Sequence, residues 1–98
     1  MTPDQFKDSL RGEQPPANLT PHLLALWYEA RGDWHRAHGL VQDLPDVQAS
    51  WIHAYLHRRE GDIGNADYWY QRAGRKRPAT TLEAEWQTIA GTLLAEAK

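Results

Sequence analysis

Two histidines, His53 and His57, stand four residues apart. On a helix they share one face, because side chains at i and i+4 lie one above the other. Two imidazoles so placed can hold a transition-metal ion when a third ligand joins them. Helical zinc motifs of this spacing also carry a Glu directly after the first His; here Ala54 follows. His22, His35, His38 and Asp67 offer third ligands of the right type, and spacing does not decide whether any of them converges. Two other readings stand beside the metal site. In one, His53 and His57 are packed, hydrogen-bonded residues of the interior or of a groove edge. In the other, they serve a polar pocket as donors and acceptors. His35 and His38, three apart, read as a solvated pair on the outer side of their segment.

The rest of the chain offers little catalytic chemistry. It has no Cys, which removes disulfides, thiolate ligands and thiol nucleophiles together and suits a reducing compartment. There is no nucleophile motif, phosphate loop or dinucleotide fingerprint, so no enzymatic activity and no cofactor are expected. Net charge is -2 with histidine neutral. The single basic run, Arg72 to Arg77, suits a solvated helix C-terminus, and nucleic acid is not an expected partner. The start, Met1-Thr2-Pro3-Asp4, lacks the pattern of a signal peptide. No apolar stretch approaches the roughly 20 residues that span a bilayer, so no membrane is expected. A cytoplasmic location follows as an expectation.

The elements that must position these residues are legible from punctuation and periodicity. Thr2-Pro3-Asp4-Gln5 is a helix start with a cap, a proline at the first turn and a Gln able to reach back. It carries Phe6 and Leu10 on one face. Gly12, Pro15 and Pro16 make a loop of residues 12–19. Thr20-Pro21 opens a second helix whose run from His22 to Tyr28 is apolar on nearly every side, so it is buried on more than one face. Gly32 ends it and Asp33 caps a third helix, striped by Trp34, Ala37, Val41 and Leu44. A fourth helix runs from about Asp46 to Glu60. Gly61-Asp62 repeats the stop and cap, and a fifth helix is striped by Ile63, Ala66, Tyr70 and Ala73. Thr80-Thr81-Leu82-Glu83 reads as a capping box, Thr three residues before Glu, and opens a closing helix over about residues 81–97, with Leu82, Trp86, Ile89 and Leu93 on one face. Glu83 and Glu85 suit its N-terminal dipole. The reading is all-α: one domain over residues 1–98.

Sliding the sequence by 29 residues lays Leu23–Leu44 over Ile52–Ala73, with Ala25/Ala54, Gly32/Gly61, Asp33/Asp62, Ala37/Ala66 and Gln42/Gln71 identical. A period of this kind marks stacked helix–turn–helix units, about residues 20–45 and 46–78. Leu24, Ala25, Tyr28, Gly32, Asp33, Trp34 and Ala37 in the first unit resemble a tetratricopeptide repeat. So do Ala54, Gly61, Asp62, Ala66, Tyr70, Ala73 and Pro78 in the second. Small bacterial proteins of that architecture are similar in compass. The period is shorter than the family's roughly 34 residues, and His53 and His57 stand where the family has a buried Leu and a buried aromatic.

The resemblance implies two helical hairpins in a right-handed α-α superhelix, bracketed by a helix at each end, about six helices in all. It also implies a protein-interaction module whose groove is lined by the first helix of each hairpin. Trp51, Tyr55 and Arg58 match groove positions on the second unit, and His22 and Leu26, with Glu29, match on the first. An aromatic surface with an Arg suits a peptide backbone or carboxylate. The expected partner is thus an unidentified protein or peptide. The alternative is that Trp51 and Tyr55 pack against a flanking helix and Arg58-Arg59 is a solvated helix end. Tyr68, Trp69 and Tyr70 cannot all face one core. An exposed ring there would suit a second contact surface or a homodimer, and the alternative is packing against the closing helix.

Overall fold

A computed structural model describes residues 1–96. They form six helices and, among the described residues, no strand: α1 Pro3–Ser9, α2 Pro21–Ala30, α3 Trp34–Val41, α4 Val47–Arg59, α5 Ile63–Arg72 and α6 Leu82–Glu96. The last position of the expected closing helix, 97, lies outside the described residues.

Each helix starts where a short polar side chain can satisfy an orphan backbone N–H. Thr2 accepts from Gln5 N while Gln5 Oε1 accepts from Thr2 N, a closed capping box. Thr20, Asp33, Asp46, Asp62 and Thr81 accept in turn from Leu23, Arg36, Ala49, Asn65 and Ala84, so the last helix is capped by Thr81 and not by the expected Thr80. Gly32 and Gly61 end α2 and α4 with φ of 86° and 84°. In each turn the next residue's N–H returns to a carbonyl five residues back, Asp33 to Tyr28 and Asp62 to His57. That closure needs a left-handed residue, and its bonds satisfy the last carbonyls of the outgoing helix. α3 stops at Val41 rather than running to Leu44, because a residue before proline is driven out of the helical region and Pro45 follows.

The two turns fold α2 onto α3 and α4 onto α5, and α3 also packs on α4. α6 lies across α2, α4 and α1. Helix α4 therefore has neighbours on all sides, and every residue from Ala49 to His57 is buried. The core joins Phe6 of α1, Leu26 and Trp27 of α2, Trp51, Ile52, Tyr55 and Leu56 of α4, Tyr70 of α5, and Trp86 and Ile89 of α6. Ile63, expected on the inner stripe of α5, stands at its first position and is exposed. No described helix is long and apolar enough to cross a membrane.

Candidate functional site

The His53–His57 pair gains its third member from α3. His38 Nε2 lies 3.1 Å from His53 Nε2, and one donor nitrogen from each of His38, His53 and His57 falls within 4.8 Å of the others. Helix α4 stacks its two rings one turn apart, with centroids 4.9 Å apart. Helix α3 carries His38 beside its buried Ala37–Val41 stripe, so packing that stripe against the core brings His38 to α4. His53 and His57 are buried and His38 is half-buried.

Tryptophans wall the cluster. Trp34 stacks on His38 at 4.9 Å, and its Nε1 donates to Leu56 O at 2.7 Å, which ties the start of α3 to α4. Trp69 of α5 stacks on His53 at 3.8 Å. On the outer side, the Arg72 guanidinium sits over Trp69. His57 Nδ1 lies 2.8 Å from Glu60 Oε1. A carboxylate only accepts, so this nitrogen carries the proton and the Nε2 lone pair of a neutral His57 is left to the cluster.

Burial, then the neighbouring His38 and His57, pushes His53 down to about 4. Burial first and His57 second lower His38 as well. Both rings are thus uncharged at neutral pH. Their 3.1 Å contact places one proton between two Nε2 atoms, one donating and one accepting. A metal ion would take that proton's place. Tetrahedral nitrogen ligands at about 2.0–2.1 Å lie about 3.3 Å from one another. The His38–His53 distance of 3.1 Å is already close to this value, and the His57 nitrogen lies within 4.8 Å of both.

The other candidates go elsewhere. His35 is exposed, so the expected solvated pair is split by the inward turn of His38. His22 Nε2 pairs with Asp46 at 2.7 Å, and Asp67 pairs with Arg77 at 2.9 Å. Leu26, Trp51 and Tyr55, expected along a groove, are buried where α2 and α4 meet α6. Trp86 Nε1 donates to Leu26 O, and Trp51 Nε1 donates to Glu85 Oε2. Arg58 is held by Glu85 at 2.7 Å and by the carbonyl of Thr80. Tyr70 donates to the same Glu85. In the aromatic run, Tyr70 enters the core, Trp69 meets His53, and Tyr68 is exposed.

Sequence reasoning gave Glu60 no role, though it stands three residues from His57 on one helix face. It also assigned Glu85 to the helix dipole. Glu85 falls within the Leu82–Trp86–Ile89 stripe, and an acid inside an apolar stripe is a signal of a buried partner. Comparison with protein-family models, with curated proteins and with solved structures gave no match to this chain.

Proposed function

We propose that this chain is a metal-binding protein that holds one divalent transition-metal ion through His38, His53 and His57. The observation that carries this reading is the convergence of three imidazole nitrogens from two helices, within 4.8 Å of one another. Glu60 sets the tautomer of one ring, and burial keeps the others uncharged. Neutral imidazoles suit zinc, copper and nickel rather than calcium or magnesium, which take oxygen donors. Three protein ligands leave a fourth position for water or an external ligand. With one ligand on α3 and two on α4, a bound ion would also join the hairpins α2–α3 and α4–α5.

The experiment is titration of chelator-treated protein with zinc and with cobalt. Calorimetry is expected to give one ion per chain. Cobalt should give the visible absorption of a four-coordinate site, and the melting temperature should rise, since a ligand that binds only the folded state at about 100 times its Kd adds about 2.7 kcal/mol. His38→Ala, at a half-buried position, should abolish all three signals with the fold retained. A parent melting temperature indifferent to both ions, with no heat of binding, would overturn the reading.

The repeat resemblance supports a different role, an interaction module that binds a peptide along α2 and α4. Against it stands the position of α6, which occupies the face that such a peptide would need.

A further inference from the structure

The core contains two buried glutamates, and they are treated very differently. Glu85 is saturated: Tyr70 OH reaches its two oxygens at 2.7 and 2.6 Å, Arg58 Nη1 donates at 2.7 Å and Trp51 Nε1 at 3.2 Å. Glu29, only 6% exposed, has weak partners. Tyr55 OH stands 3.4 Å from its Oε1, and Arg59 Nε stands 3.5 Å from the same atom. Both distances lie beyond the range of a good hydrogen bond. Among the described residues, no hydrogen bond reaches Glu29 Oε2. Oε2 is not sealed from solvent, so its donors must come from water or from a ligand. Burial accordingly raises the proton affinity of Glu29.

This carboxyl lines a cavity of about 290 Å³ where α1, α2, α4 and α6 meet. Leu10, Ala30 and Trp86 give it apolar wall, and Tyr55 and Arg59 stand beside the acid. Arg59 is half-exposed and its Nε stands at 3.5 Å, a loose and solvent-screened pairing that neutralises the carboxylate incompletely. At the rim, Lys7 and Glu83 are 4.0 Å apart and well exposed, a solvated pair that leaves the floor of the cavity unchanged. The volume sits at the small end of those that hold organic ligands. Tyr55 and Arg59 are two residues on from His53 and His57, about 200° around α4 at 3.6 residues per turn. The cavity and the imidazole cluster are therefore on opposite sides of one helix.

We infer that this cavity is a binding site for a small organic ammonium ion, with the Glu29 carboxylate as its counter-ion. An ammonium group supplies three donors. One reaches Glu29 Oε2 and a second reaches the lone pairs of Tyr55 Oη, while the apolar body lies along Leu10 and Trp86. An anionic ligand would meet the buried carboxylate. A hard metal cation would find too few oxygens. The site is independent of the metal-binding reading, and either can fail without the other.

The test uses the full chain and three ligands of one shape: benzylamine, benzyl alcohol and benzoate. Each is titrated into isotopically labelled protein, and the Trp86 indole and Ala30 amide resonances are followed. Benzylamine is expected to shift both saturably, with the alcohol at least about tenfold weaker and benzoate silent; a tenfold change in affinity is about 1.4 kcal/mol. Glu29→Gln keeps the shape of the side chain and should weaken benzylamine by about tenfold or more. Ala30→Trp, at an exposed position on the rim, should close the cavity with Glu29 intact and abolish the shifts. The inference is overturned if benzylamine causes no saturable shift, if the alcohol binds as tightly as the amine, or if either variant binds benzylamine as the parent does.

Discussion

Glu60 and Glu29 show how much single side chains decide in this molecule. Glu60 is exposed and contributes little to the core, yet its bond to His57 Nδ1 holds the proton on that nitrogen and leaves the Nε2 lone pair free to ligate. Groups that orient a metal-bound histidine in this way are worth about 10–100-fold in metal affinity. Glu60→Ala is therefore expected to weaken zinc binding by that factor with little change in the metal-free melting temperature, and Glu60→Gln, whose amide oxygen can still accept, should recover most of it. Competition against a chelator of known affinity checks this, and equal affinities in parent and Glu60→Ala would refute it. For Glu29, desolvation raises the carboxyl above its ordinary 4.5. A raised folded value means that its contribution to stability is present below about pH 4.5 and lost as pH rises through the folded value. Glu29→Gln escapes that loss. It should be more stable than the parent at pH 7, with the difference closing as pH falls below about 4.5. Urea midpoints across the pH range decide it. Spacing alone showed that His53 and His57 share a face, and composition offered His38 as a third ligand. Their convergence was not legible, because it depends on the rotation of α3 against α4, which packing sets and local sequence does not.

The helices themselves were the most legible part, because their ends are set locally. Gly61 tests that directly. Its φ of 84° is one that a Cβ opposes, so Gly61→Ala should cost about 1–2 kcal/mol. Gly64 is one turn on, inside α5, with an ordinary φ and open space around it. Gly64→Ala should be neutral or stabilise by about 0.5–1 kcal/mol. Chemical denaturation of the two variants separates backbone strain from mere loss of glycine. What the sequence left open was where α6 goes. The connection of residues 73–81 does not say which face the closing helix covers, so Trp51 and Tyr55 read equally as groove or core. The structure makes them core, and Glu85 of α6 is the reason the docking is specific: it collects Trp51 and Arg58 from α4 and Tyr70 from α5. Glu85→Ala strands buried donors on two helices and should cost about 3 kcal/mol or more. A midpoint within about 0.5 kcal/mol of the parent, the usual range of surface changes, would contradict this account.

At the scale of the whole chain, two hairpins and their flanking helices make one core rather than a stack of separable repeats. Phe6 of α1 stacks on Trp86 of α6 at 5.6 Å, so the first and last helices meet. A chain ended at residue 80 would leave Trp51, Tyr55 and Phe6 uncovered and should lose both its near-ultraviolet circular dichroism and its cooperative melting; retention of a sharp transition would show the hairpins to be autonomous. The jacketing of α4 by α2, α3, α5 and α6 has a consequence in time. Peripheral helices such as α1 can fray alone, and their amide hydrogens trade with solvent at rates set by small local openings. The amides between Ile52 and Leu56 have no such route. They exchange when every neighbour has let go, so deuterium uptake there reads the lifetime of the entire fold.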